Sequence, residues 1–188
     1  MTMRRRTKKE YTYIQIIVLA IAIAAYMGFK NLPPSKTAEL PKEEFSYVER
    51  VVDGDTLKLS NGQRVRLIGV DTPELHYSNK LLRDAGRTHK DIKAIQAMGE
   101  KASIFTKDLC AGKRVRLEFD VEKRDRYRRL LAYVFLDDGT FVNAKILEEG
   151  YGQIMTIPPN VKYADYFLRL QKEARIKRRG LWGIMDNL

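Results

Sequence analysis

The chain has 188 residues, which is room for one domain of ordinary size and a short appendage, with enough mass to bury a core. Its 35 Lys and Arg against 24 Asp and Glu give a formal charge of +11, which suits a polyanionic partner drawn in by long-range attraction, the plainer reading being surplus Lys for solubility. A single cysteine, Cys110, excludes an intramolecular disulfide and a thiolate zinc cluster.

Part of the charge belongs to the N-terminus, where Arg4, Arg5, Arg6, Lys8, Lys9 and Lys30 face Glu10 alone and leave 29 basic and 23 acidic side chains to the rest of the chain. Behind the basic MTMRRRTKK, the run from Ile14 to Phe29 has Gln15 as its only strongly polar member. Positive charge ahead of an apolar run predicts export. Apolar residues lie all round this run, which a core helix with one solvent face would not show. Two readings stay open. Ala20-Ile21-Ala22 and Ala22-Ile23-Ala24 are small-residue cleavage patterns of a signal peptide, whereas Tyr11, Tyr13 and Tyr26 suit the interfacial anchors of an uncleaved helix. The chain thus divides into a signal peptide or membrane anchor (1–30), a Pro-, Lys- and Glu-rich linker (31–44) and a folded domain (45–188). That domain is expected outside the cell, secreted or tethered to the outer face of the cytoplasmic membrane through residues 11–29.

Within the domain, Phe45 to Val52 reads as a strand. Thr56 to Ser60 and Arg64 to Gly69 form a hairpin about Asn61-Gly62. His76 to Gln96 is weakly periodic and reads as a long surface loop, with His76 and His89 on the surface. A helix over Glu100 to Leu109 carries Ala102, Phe105 and Leu109 on one face, and Cys110 at its end reads as a small buried hydrophobe. In Arg114 to Phe119, Val115, Leu117 and Phe119 face one way and Arg114, Arg116 and Glu118 the other. Leu130 to Leu136 is a fifth strand. Asn143 caps a short helix ending at Gly150, and Asn160 starts a longer one that Gly180 stops. Five short strands with three helices predict an α+β fold built on an OB-type Greek-key barrel, an architecture that commonly binds oligonucleotides.

The segment Val51 to Glu74 carries more acid than a hairpin needs: Asp53, Asp55, Asp71 and Glu74 gather at its open end. Singly, Asp53-Gly54-Asp55-Thr56 reads as a turn, and Thr72-Pro73-Glu74 as a helix start. A two-residue turn at Asn61-Gly62 would set Asp55 across from Ile68 with Arg66 diagonally beside it, while strict alternation points Asp71 to the opposite face. Convergence of Asp55 and Asp71 therefore requires a kink, and Gly69 is the residue to permit it. Two carboxylates without His or Cys favour Ca²⁺ or Mg²⁺ over zinc or copper, and Glu74 is then placed to orient or deprotonate a water. The run Arg124-Asp125-Arg126-Tyr127-Arg128-Arg129 reads as a solvated loop, or as the source of an arginine that clamps a phosphodiester together with Arg66. The second option makes phosphodiester hydrolysis the natural reaction.

VVDGDTLKL, RVRLIGVDTPE and DRYRRLLAYVFLDDG, with GEKASIFTKDL, FVNAKILEEGYG and the terminal GLW, resemble in this order the signature blocks of the staphylococcal nuclease (thermonuclease) family, over nearly all of Phe45 to Trp182. The resemblance implies an OB-fold barrel with three helices and a Ca²⁺-dependent nuclease acting on DNA and RNA, cleaving the 5′ P–O bond to leave 3′-phosphate ends. It implies Asp55 and Asp71 as Ca²⁺ ligands with the backbone carbonyl of Thr72, Arg66 and Arg129 as phosphate-binding arginines, and Glu74 as general base. It also implies Asp53 near the metal and Tyr127 near the substrate phosphate. Three departures stand out. Met155, Thr156, Ile157, Pro158 and Pro159 occupy the stretch where well-known members place two tyrosines against the nucleotide. Arg128 replaces a common glycine and adds a positive charge for the substrate backbone, and the loop after Glu74 is longer. A monomer is expected. The alternative reading is a nucleic-acid-binding OB-fold module without catalysis.

Overall fold

In the computed structural model, residues 44–75 and 92–185 are described, together with the single positions Leu19, Ile21 and Gly86. Apart from Leu19 and Ile21, the export or anchor segment and the linker up to residue 43 lie outside the described residues, as does most of the loop after Glu74 with His76 and His89. Among the described residues no helix is long and apolar enough to cross a membrane. The chain divides into two units, Met1–Leu40 and Pro41–Leu188, and every element below belongs to the second.

Five strands close into a barrel: β1 (Glu44–Asp53), β2 (Thr56–Leu59), β3 (Arg64–Leu67), β5 (Arg114–Glu118) and β6 (Leu130–Leu136), in the spatial order β1-β2-β3-β6-β5. The β3–β6 pair is parallel and the others antiparallel. Period-two alternation drives the closure, because Leu57, Leu59, Val65, Val115 and Leu117 point inward and are fully buried. Each such side chain contributes about 1.5–3 kcal/mol relative to exposure. The barrel with packed helices agrees with the α+β, OB-type architecture expected from the pattern.

The hairpin between β2 and β3 differs from the expected two-residue turn. Thr56 pairs with Arg66 and Leu57 with Val65, and the Leu59 N–H donates to the Gln63 carbonyl at 2.9 Å, so the loop is Ser60-Asn61-Gly62. Gly62 takes φ +82°, the left-handed residue that a three-residue hairpin loop requires. Two local bonds fix this length: Ser60 N–H is drawn to the Tyr47 carbonyl on β1 at 2.9 Å, and the Asn61 side chain accepts from Gln63 N–H at 3.0 Å.

Two strands were not expected. β4 (Gly69–Asp71) breaks from β3 at Ile68 and pairs with β7 (Gln153–Met155) in a separate two-stranded sheet. Helix α1 (Ile92–Cys110) starts eight residues before Glu100, so the supposed loop up to Gln96 ends inside a helix. Its buried stripe of Ile95, Met98, Gly99, Ala102, Thr106 and Cys110 passes through small and polar residues, which masked the apolar period. Cys110 is buried with its Sγ–H on the Thr106 carbonyl at 3.1 Å, and burial pushes its thiol up to about 12, the behaviour of an inert core residue.

Two expected caps act elsewhere. Helix α2 (Val142–Glu148) has Phe141 at its N-cap position, without a side-chain cap. Asn143 is instead fully buried inside the helix, donates to the Ile68 carbonyl at 2.9 Å and accepts from Val134 N–H at 2.9 Å. It satisfies backbone groups where β3 and β4 part. Helix α3 runs Ala164–Ile176, four residues later than Asn160 predicts. Asn160 ties its loop to residue 122, donating from Nδ2 to the Glu122 carbonyl at 2.9 Å and accepting from Glu122 N–H at 2.8 Å. A fourth helix, α4 (Leu181–Met185), follows Gly180.

Candidate active site

The acids come from backbone that the strands leave free to turn. β1 and β2 are joined through Gly54-Asp55, with Asp53 paired to Thr56, so Asp55 sits in the turn and alternation along β2 does not fix its direction. Its buried carboxylate accepts from Thr72 N–H at 3.0 Å, Thr72 Oγ1 at 3.1 Å and Thr56 Oγ1 at 2.9 Å. Those donors hold it in one orientation.

Gly69 supplies the kink. Its φ of +78° turns the chain out of β3, and a Cβ there would lie 2.6 Å from the Phe167 ring. Two residues on, Asp71 is buried and accepts from Arg66 Nη2 at 2.9 Å and from Gln153 Nε2 at 3.3 Å. Arg66 Nη1 pairs with Asp55 Oδ2. The two carboxylates therefore meet across one guanidinium, in a setting where removing one partner of such a buried set costs far more than a surface pair.

Helix α1 backs both acid-bearing segments. Thr106 Oγ1 donates to the Gly54 carbonyl at 2.7 Å, and a Cβ on Gly99 would lie 2.6 Å from the backbone of Glu74. Gly99 thus lets the helix lie directly under the chain that carries Glu74. No sequence signal marked either residue, although a glycine inside an amphipathic helix is a hint of close approach.

Arg129 arrives from the loop before β6, and its placement depends on Asp125. One oxygen of Asp125 accepts from Tyr127 N–H at 2.9 Å and Arg129 N–H at 3.0 Å, while the other accepts from Arg129 Nε at 2.7 Å. In the sequence, Asp125 is one acid inside a basic run, and its role shows only once the loop is folded. The loop repeats the bonding of the Asn61 turn: Asp125 N–H donates to the Arg129 carbonyl and Arg128 N–H to the Asp125 carbonyl. Arg128 occupies the position that Gly62 fills there, with φ +65°. Arg128→Gly should therefore stabilise the fold by about 1 kcal/mol, read as a rise in denaturation midpoint, and an unchanged or lower midpoint would contradict the strain.

These pieces surround a cleft of about 940 Å3 lined by Asp53, Asp55, Arg66, Asp71, Glu74, Tyr127 and Arg129, with Asp125, Arg126, Met155 and Ile157 on its rim. Tyr127 is exposed, with the guanidinium groups of Arg126 and Arg129 over its ring at 4.8 and 5.5 Å. Two predicted residues do not line the cleft. Thr72 lies buried against Asp55, and Arg128 is exposed outside the lining. Where the tyrosines were missed in the sequence, Met155 and Ile157 present an apolar wall.

The oxygen-only donor set suits a hard divalent cation. Asp55 and Asp71 already bracket a positive charge, the Arg66 guanidinium, and among the described residues neither His nor Cys stands with them. Among the described residues no three His, Cys, Asp or Glu side chains group as metal ligands, so the rest of such a shell would be backbone carbonyl and water.

Comparison with known proteins identifies the family. The family described as Staphylococcal nuclease homologue matches residues 64–183, which span Arg66, Asp71, Glu74 and Arg129. The chain is 39% identical to a thermonuclease of Staphylococcus intermedius over 93% of its own length and 98% of that protein, and 36% identical to a thermonuclease of Staphylococcus hyicus over the same shares. It is 37% identical to Endonuclease YncB of Bacillus subtilis over 72% of its length and 60% of that protein. On the family match across most of the barrel and its helices, and on relatives aligned nearly end to end, the chain belongs to the staphylococcal nuclease family.

Proposed function

We propose that the chain is an exported, Ca²⁺-dependent nuclease that hydrolyses phosphodiester bonds of DNA and RNA, leaving 3′-phosphate ends. The observation that carries this reading is the convergence of Arg66, Arg129 and Glu74 on one cleft floored by the paired carboxylates of Asp55 and Asp71. A divalent cation held by Asp55, Asp71 and the Thr72 carbonyl would supply Lewis-acid polarisation of a phosphoryl oxygen. Arg66 and Arg129 bind the phosphate from two sides and stabilise the charge that grows on its oxygens as it becomes five-coordinate. Glu74 takes a proton from the attacking water as its oxygen bonds to phosphorus, and the bond from phosphorus to the 5′ oxygen breaks, that oxygen taking a proton from solvent to leave as a hydroxyl. Asp53 steadies the floor of the cleft, and Tyr127, between two guanidinium groups, borders the phosphate. Arg128 adds positive charge outside the cleft, where it attracts the nucleic acid backbone without touching the reacting group.

The full chain should degrade single-stranded DNA and RNA in a Ca²⁺-dependent manner. No hydrolysis above background across a range of pH and Ca²⁺ concentration overturns the enzyme reading and leaves a binding module. Cell fractionation with sequencing of the mature N-terminus separates a cleaved signal from an anchor, and retention in the cytoplasm overturns export. Asp125→Ala should lower kcat about ten- to a hundred-fold through loss of Arg129 alignment, with a smaller change in KM. Unchanged kcat would show that Arg129 is positioned without it.

A further inference from the structure

Outside the cleft, the outer face of the barrel carries exposed rings among arginines, continuous with Phe135 and Phe141, which are half-buried against the core. In the β1–β5 register Phe45 pairs with Arg116 and Tyr47 with Arg114, on the side opposite the fully buried Val115 and Leu117. Phe45 is 49% and Tyr47 55% exposed, values that exclude a packing role for most of either ring. The Arg114 guanidinium lies over the Phe45 ring at 4.7 Å, and that of Arg116 over Phe135 at 4.4 Å. Phe135 stacks on Phe141 at 4.3 Å and Phe141 on Tyr166 at 6.5 Å, with Arg169 over Tyr166 at 5.9 Å. Rings and guanidinium groups therefore follow one another without a break from β1 across β5 and β6 to α3.

None of these side chains lines the cleft. Phe135 lies six residues along from Arg129, about 20 Å away at the rise of a strand. Two acids pair with these arginines among the described residues. Glu118 is 3.6 Å from Arg116, but its other oxygen already accepts from Lys162 Nζ at 2.6 Å and Tyr163 OH at 3.0 Å. Asp137 stands at the edge, 3.9 Å from Arg114.

We infer that this face is a second nucleic-acid surface that takes a single strand, its bases stacked on the exposed rings and guanidinium planes and its phosphates held by Arg114, Arg116 and Arg169. Planar groups alternating with fixed positive charge match the alternation of base and phosphate along an unpaired strand. A lipid surface would instead call for projecting aliphatic side chains or clustered Lys. The face extends the proposed function by holding a strand that the cleft cuts, but it concerns binding alone and stands if the cleft proves inactive.

The test is fluorescence anisotropy of a labelled oligothymidylate of about 12 nucleotides, within the site sizes OB folds occupy, with the full chain in EDTA over a salt series. Phe45→Ala with Tyr166→Ala, and separately Arg114→Gln with Arg116→Gln, should each weaken binding about tenfold, with melting curves showing that the fold is kept. The arginine pair should also lower the slope of log affinity against log salt by about 1.4. The same losses should appear in an Arg129→Ala background, which separates this face from the cleft. Equal affinity in wild type and both pairs, or no binding by the wild type, overturns the inference. So does weakened binding to phosphatidylserine vesicles with oligonucleotide affinity unchanged, which would make the face a membrane surface.

Discussion

Glu74→Gln and Arg129→Ala should each cut phosphodiester hydrolysis by about a hundred- to ten-thousand-fold while leaving the protein folded. The sizes follow from the two roles proposed above, proton acceptor for Glu74 and phosphate clamp for Arg129. Gln keeps the shape of Glu74 but cannot accept the proton, so the loss falls on kcat and steepens where the attacking water most needs deprotonation. Ala at 129 removes a guanidinium that Asp125 holds at 2.7 Å, and with it one side of the phosphate clamp. Both side chains lie on the cleft wall outside the hydrophobic core, so unfolding temperatures should move little. Activity within a few-fold of wild type in both variants would mean that the chemistry belongs to other residues.

Gly69→Ala should be strongly damaging for so small a substitution. An alanine at φ +78° costs about 1–3 kcal/mol of backbone strain, and its methyl would meet the Phe167 ring at 2.6 Å. Phe167 is 1% exposed and cannot swing aside without opening the core. The combined loss should be about 3 kcal/mol, a fall of about 10 °C in melting temperature. Hydrolysis should also fall below the level that stability alone explains, because Asp71 hangs from the same turn. A Phe167→Leu change should recover part of the stability in the double variant by relieving the contact but not the backbone angle. Wild-type melting and wild-type activity together would show that this turn does not place Asp71.

The barrel was legible because burial along β2, β3 and β5 obeys a period of two, and each inward Leu or Val states its direction locally. The kink at Gly69 was legible for a related reason: alternation alone would have separated two acids. What escaped were features that depend on a partner distant in sequence. The Asn61 loop is one residue longer than its dipeptide suggests because Ser60 bonds to Tyr47 on another strand. Asn143 and Asn160 look like caps, since capping is the commonest local use of a lone Asn, yet their amides serve backbone groups at residues 68, 134 and 122. Asp125 was hidden by composition, because an acid among arginines reads as solvated charge until its three N–H donors are folded around it. Within the acid set, membership was readable from residue type, while the meeting of Asp55 and Asp71 on Arg66 required coordinates.

The paired bonds of Asn160 have a mechanical consequence. Residues 120–129 carry Arg129 to the cleft, and residues 155–163 carry Met155 and Ile157 to it. Asn160 grips residue 122 through both its amide oxygen and nitrogen, and Lys162 N–H adds a bond of 3.1 Å to Asp120. The two segments are thus spliced to each other, and Glu118 on β5 and Tyr133 on β6 tie the splice to the barrel. Their spacing is set as by a spacer in a caliper, so neither segment can shift at that end of the cleft without carrying the other with it.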